Sequence, residues 1–200
     1  TPYEILSGLV GSEMCIRDSP YEKGFVSYHQ DAKYIGLEPH NWVTAWVAIT
    51  DSNEKNGCMR MWSGSHKDDL KDHNQMFNEG NLLTRGQTVN NVPKEKVKPL
   101  ILKAGQMSLH HPKVVHGSEQ NESNDRRIGF VIQSYIGTNV KQVLGINNVQ
   151  LARGLDEFNY HKKIGRPNSL MDKNDLKIKK LENNNLQEIF YKGSTKKGTY

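Results

Sequence analysis

His29 and Asp31 stand two residues apart at the end of GFVSYHQD, and both are metal-ligating types. On an extended chain, side chains alternate between faces, so residues two apart share one and can meet the same ion. A hydrogen-bonded pair closing a strand is the plain alternative. Further along, LHHPKVVHGS offers His110, His111 and His116, any of which could complete a ligand set. Two histidines and one carboxylate leave coordination positions open, the arrangement that suits non-haem Fe(II). A chelating co-substrate and dioxygen can then use those positions. Arg127 follows His116 by eleven residues and heads the run RRIGFVIQSYI. A guanidinium there can pair bidentately with a carboxylate, as a dicarboxylate co-substrate requires. Arg126 must face the other way on a strand, which suits solvent.

These residues need strands to hold them. GFVSYH (24–29), WVTAWVAIT (42–50) and CMRMWSG (58–64) mix β-branched and aromatic residues with partial alternation. KPLILKAGQMSLHH (98–111) reads as two short strands hinged at Ala104-Gly105. In 126–136, Ile128, Phe130, Ile132 and Ser134 fall on one face of a strand. Turn chemistry separates the strands at 51–57, 63–69 and 118–125. Many short strands with few helices argue for a sandwich or barrel, and the jelly roll or cupin type encloses a site between two sheets. Residues 70–97 are polar and long for a loop in a compact domain, which marks them as a binding segment carrying Asn81, Arg85 and Gln87. Near the end, 174–192 spaces Leu176, Leu181, Leu186, Ile189 and Phe190 for an amphipathic helix on the outside of the sheet.

Residues 1–19 fit none of these patterns: they have neither a signal-peptide layout nor a clean hydrophobic period. Leu9–Asp18 back-translates into one arm of a transposase-based sequencing adapter, so 1–19 reads as a non-native, adapter-derived segment. The expected division is then 1–19 adapter, 20–165 a β core that carries the site, and 166–200 a basic tail with a helix. The formal net charge is +5, and residues 162–200 hold ten Lys/Arg against four Asp/Glu. That tail is rich in Asn and lacks aromatic interleaving, so it reads as a solvated face, with no nucleic-acid or membrane partner expected. Outside 1–19 only Cys58 is a cysteine, which excludes a disulfide framework and agrees with a reducing cytoplasm. No apolar run approaches the roughly 20 residues of a membrane span.

HQDAKYIGLEPHNWVTAWVAITDSNEKNGCMRMWSGSHK, followed by LKAGQMSLHHPKVVHGSEQNESNDRRIGFVIQSYI, resembles the phytanoyl-CoA dioxygenase family. HxD, the NGC and GSHK turns and HGSxxNxSxxRR occur in family order across about residues 24–136, with an echo in ARGLDEF at 152–158. The resemblance implies a double-stranded β-helix (jelly roll) with flanking helices, and an Fe(II)- and 2-oxoglutarate-dependent oxygenase using dioxygen. It implies that His29, Asp31 and His116 hold iron, that Arg127 holds the distal carboxylate of 2-oxoglutarate, that Ser118 adds a hydrogen bond, and that Trp46 packs near the co-substrate. It favours His116 over His110 and His111, whose roles stay open. An intact Asp31 favours hydroxylation of a small-molecule C–H bond, with release of succinate and carbon dioxide, over halogenation. Ser63 stands where the family usually has proline, and the family's region ahead of the first ligand strand is expected to be missing. A metal-holding cupin-like module without turnover, or an inactive oxygenase fragment, are the alternatives.

Overall fold

The computed structural model describes Tyr21, residues 23–83 and 86–194, and the backbone of two short strands within 5–17. Residues 1–19, expected to be adapter-derived, therefore lie outside the described residues, apart from that backbone. In chain order the first strands are β1 (Ile5–Ser7), β2 (Met14–Arg17), β3 (Val26–His29), β4 (Leu37–Glu38), β5 (Trp42–Ala48) and β6 (Met59–Trp62). Then come β7 (His73–Gln75), β8 (Gln87–Val89), β9 (Val97–Pro99), β10 (Met107–His110) and β11 (His116–Ser118). The last are β12 (Arg127–Gly137), β13 (Lys141–Gln142), β14 (Asn148–Arg153) and β15 (Lys162–Lys163), followed by α1 (Lys173–Tyr191).

Two sheets carry the fold. The larger is ordered β10-β5-β12-β1-β14-β15, with β2 also on β12, and the smaller is β3-β11-β6-β9. Ribbons β4-β13 and β7-β8 flank them. Both sheets line one cavity, the larger through Thr44, Trp46 and Val131, the smaller through Val26, His29 and Met59. This is the expected jelly roll. Its strand connections are non-local, so cross-strand register, rather than chain proximity, decides which side chains meet.

Two apolar clusters brace the cavity. Ala32, Tyr34, Ile35, Leu37, Trp42 and Ile136 pack with Leu186, Ile189 and Phe190 of α1. Trp46, Ala48 and Met59 form a smaller cluster with Leu100, Leu102 and Val131 beside it. The helix thus enters the larger core through its second half, and buried Glu182 accepts hydrogen bonds from the Asn148 backbone N–H and side-chain amide. Leu176 and Leu181 stay exposed, so the apolar stripe is shorter than its spacing suggests. Asp172 caps the helix, accepting from the N–H groups of Asn174 and Asp175.

β12 departs from the single-face reading. Ile128, Phe130 and Ile132 do share a face, but Arg127, Val131 and Gln133 line the cavity on the opposite one. Ser134 does not continue the outer face: it is buried, with φ of 68°, where the register with β5 slips between Ile132 and Tyr135. A bulge of this kind reverses which residues point inward, letting β12 serve the cavity at its start and the core, through Ile136, at its end. The segment 98–111 does turn at Ala104-Gly105, where Gly105 has φ of 85°. Among the described residues no helix is long and apolar enough to cross a membrane.

Candidate metal centre and co-substrate pocket

β11 is HGS, buried along its length, and it pairs antiparallel with β3 so that His116 faces His29 directly. Their ring centroids lie 4.3 Å apart. Register therefore joins two histidines that are 87 positions apart in the chain. Asp31 reaches them differently from the simple alternation of a strand. β3 ends at His29, Gln30 remains extended, and Asp31 opens a 3₁₀ turn, Asp31–Lys33. Gln30 turns away and is tied down, donating to the Lys113 carbonyl at 2.7 Å and accepting from the Lys71 N–H at 2.8 Å.

The three ligand atoms converge. His29 Nε2 is 3.6 Å and His116 Nε2 3.9 Å from Asp31 Oδ1, and all three groups offer atoms within 4.8 Å of one another. Ligand bonds of about 2.0–2.2 Å to a common ion put neighbouring donor atoms about 3–4 Å apart, so the spacing fits. Each imidazole is oriented from behind. His29 Nδ1 donates to the Ser27 carbonyl at 2.8 Å and His116 Nδ1 to the Val114 carbonyl at 2.9 Å. A carbonyl only accepts, so Nδ1 carries the hydrogen and Nε2 is left bare for a cation.

Asp31 is 3 % exposed and braced by two hydroxyls. Tyr34 donates to Oδ1 at 2.9 Å and Thr44 to Oδ2 at 3.1 Å. Burial alone pushes its carboxyl up, but His116, His29 and His110 around it outweigh burial and hold it below the ordinary carboxylate range. Burial, helped by neighbouring His29, lowers His116 to about 3. At neutral pH this is an anionic carboxylate beside a neutral imidazole, the charge state a divalent cation binds.

Arg127 and Trp46 line the same cavity as this triad. Arg127 is 3 % exposed, with Cζ 5.7 Å from the Trp46 ring centroid, within cation–π reach. Ser118 follows His116 by two residues on β11 and also lines the cavity. The six residues singled out in the sequence, His29, Asp31, His116, Arg127, Ser118 and Trp46, are thus brought together. Gly129 makes room for this end: a Cβ there would sit 2.1 Å from Trp46 Cζ2. Gly129→Ala is expected to push Trp46 off its seat and cost about 1–3 kcal/mol of stability, read by denaturant unfolding. Unchanged stability would mean the ring has slack.

The family model described as phytanoyl-CoA dioxygenase (PhyH) matches residues 10–129, more than half of the chain. The chain belongs to this family. Human peroxisomal phytanoyl-CoA dioxygenase is 30% identical over 101 residues, which are 50% of this chain and 30% of that protein. A Caenorhabditis elegans phytanoyl-CoA dioxygenase domain-containing protein 1 homolog is 31% identical over 141 residues, 67% of this chain and 48% of its own length. This chain therefore spans less than half of these curated relatives. Among solved structures, the apo form of the non-heme monooxygenase ThoJ superposes with a TM-score of 0.79 at 28% identity, covering 94% of this chain and 67% of that one.

Around this PhyH-family centre the structure adds residues that the motifs do not name. Tyr34 and Thr44 hold Asp31, as above. His110 lines the cavity, whereas His111 serves the turn that follows: its Nδ1 accepts from the Lys113 N–H at 3.1 Å. From the long segment 70–97, Leu82 and Leu83 reach the cavity. Asn81 instead fastens that segment to β3, its Nδ2 donating to Ser27 Oγ at 3.1 Å, and Gln87 is buried, with its carbonyl Ser27's hydroxyl acceptor at 2.9 Å. Arg85 lies outside the described residues.

His73, on β7, supports the ligand strand from outside. Its Nε2 accepts the Gln30 N–H at 3.0 Å and its Nδ1 donates to the Lys71 carbonyl at 2.8 Å. Burial lowers its pKa to about 4. Between pH 6.5 and about 4 the unfolded chain binds a proton at this position that the folded chain refuses, so stability falls as pH is lowered through that window. The metal-free protein is expected to melt at progressively lower temperature from pH 7 to pH 4, with a shallower slope in His73→Gln. An equal slope in the variant would remove His73 from the cause.

Proposed function

We propose that this chain is an Fe(II)- and 2-oxoglutarate-dependent oxygenase acting on a small-molecule substrate. The observation that carries the reading is one cavity lined both by the His29–Asp31–His116 cluster and by buried Arg127. The donor set fits non-haem Fe(II), and a buried guanidinium facing the same space fits a dicarboxylate that also reaches the metal. The family supports the same reading. A structure of the epimerase SnoN, with a TM-score of 0.54 to this chain, is described as a complex with Fe3+ and alpha ketoglutarate.

In this reading His29, Asp31 and His116 hold the iron, and the backbone carbonyls of Ser27 and Val114 keep their imidazoles in the ligating tautomer. Arg127 neutralises the distal carboxylate of 2-oxoglutarate, Ser118 hydrogen-bonds it, and Trp46 walls that end against water. Bound iron supplies dioxygen activation, driven by oxidative decarboxylation of the 2-oxo acid to succinate and carbon dioxide. Hydroxylation of a C–H bond is favoured over halogenation because Asp31 occupies the third protein-ligand position. Val26, Leu82, Leu83 and Val131 give the substrate an apolar wall, with Gln133 as a neutral polar contact. Substrate choice is assigned to segment 70–97, which contributes both leucines.

The test is to admit oxygen to the chain with Fe(II) and 2-oxoglutarate and to follow succinate and oxygen uptake together. Matched succinate formation and oxygen consumption, absent in His29→Ala, support the oxygenase. A folded, iron-binding chain that forms no succinate would favour a cupin-like metal-holding module.

A further inference from the structure

A fourth imidazole faces the centre without belonging to its ligand set. His110 is 5 % exposed, lines the cavity, and has its ring centroid 4.9 Å from that of His116. Its Nδ1 is buried and has no hydrogen-bond partner among the described residues. A buried polar atom left unpaired is costly, and here it belongs to a ring that borders the cavity, where the imidazole can meet a polar group that arrives with the ligand. Strand register says which part of the ligand. β10 and β5 pair so that His110 lies opposite Thr44 and Ser108 opposite Trp46. Thr44 is bonded to Asp31, at the metal, and Trp46 lies beside Arg127, at the far end. Thr44 and Trp46 are two residues apart on β5, about 7 Å along the strand, and Arg127 reaches back toward Trp46 from β12, where Gly129 pairs with Ala48. His110 is at the metal level.

We propose that His110 is a co-substrate-binding residue, its imidazole hydrogen-bonding the metal-proximal carboxylate of the 2-oxo acid while Arg127 holds the distal one. The inference rests on the oxygenase reading above. It gives the cavity two separate anchors for one dicarboxylate, His110 on β10 at the metal and Arg127 on β12 beside Trp46. His110 belongs to binding and orientation: it fixes which way the chelating end presents its oxygens, without itself ligating the metal.

The test is an anaerobic titration of the Fe(II)-loaded chain with 2-oxoglutarate, in wild type, His110→Phe and His110→Asn, following the visible metal-to-ligand charge-transfer band. Fe(II) affinity is measured separately by calorimetry. His110→Phe is expected to keep Fe(II) affinity, to weaken 2-oxoglutarate about 10-fold, the effect of one hydrogen bond to a charged group, and to move the band maximum. His110→Asn, which keeps a donor, should recover part of both. Unchanged 2-oxoglutarate affinity and band position in a His110→Phe protein that melts like wild type would overturn the proposal. Loss of Fe(II) affinity together with co-substrate would also overturn it, making His110 a support for His116. A wild-type chain that binds iron and gives no band would instead sink the oxygenase reading itself.

Discussion

Asp31→Asn is expected to lower Fe(II) affinity by at least about 100-fold, since even residues behind the ligands typically cost 10–100-fold and Asp31 is itself in the ligand cluster. The substitution is nearly isosteric, so the loss reports charge and donor chemistry more than packing. Its carboxylate is the one anionic group of the cluster. It also accepts from both Tyr34 and Thr44, and an amide nitrogen in place of one oxygen would force the hydroxyl it faces to turn and accept where it now donates. Anaerobic calorimetry with Fe(II) reads the affinity. The rise in melting temperature that metal gives the wild type should vanish in parallel, because a ligand stabilises only the state that binds it. Retention of wild-type iron affinity would show that the ion sits elsewhere.

Arg127→Ala is expected to leave Fe(II) affinity intact and weaken 2-oxoglutarate by about 100-fold or more, the usual effect of removing one partner of a buried, hydrogen-bonded charge pair. Arg127→Lys should fall between, since lysine keeps the charge and loses the planar fork that meets a carboxylate bidentately. The charge sits at 3 % exposure beside Trp46, where water cannot take over the pairing. A co-substrate titration on each variant separates the two effects. Equal 2-oxoglutarate affinity in Arg127→Ala and wild type would remove the arginine from the co-substrate site.

The ligand cluster was legible because each of its parts is a local pattern repeated at a recognisable place. HxD marks a strand end, HGS marks a short buried strand, and the arginine heads a strand whose period two fixes its face. What spacing could not supply was register. Nothing in the chain order says that His116 lies opposite His29, or that His110 lies opposite Thr44, because cross-strand pairing is set by the whole fold. Strand alternation also gave only part of the reason for the His29–Asp31 pair, since Asp31 belongs to a turn. That turn had a readable consequence: in 3₁₀ geometry residues three apart lie over one another, which puts Tyr34 on Asp31.

The less legible parts are those where one backbone irregularity changes the face. Ser134 ends the outer stripe of β12 because its positive φ bulges the strand, and no β-branched or aromatic pattern announces that. Leu82 and Leu83 sit in a segment whose composition reads as polar, so their place on the cavity is visible only in three dimensions. The same holds for Gly129, where the missing side chain is what seats Trp46.

In the function proposed, one cavity binds Fe(II) through His29, Asp31 and His116 and presents 2-oxoglutarate to that iron. The most direct test is the anaerobic visible spectrum of the chain with both added. The expected result is a metal-to-ligand charge-transfer band that saturates at one co-substrate per chain, is absent in His29→Ala and is weakened in Arg127→Ala. A chain that melts cooperatively and binds Fe(II), yet shows no band at any 2-oxoglutarate concentration, would contradict it.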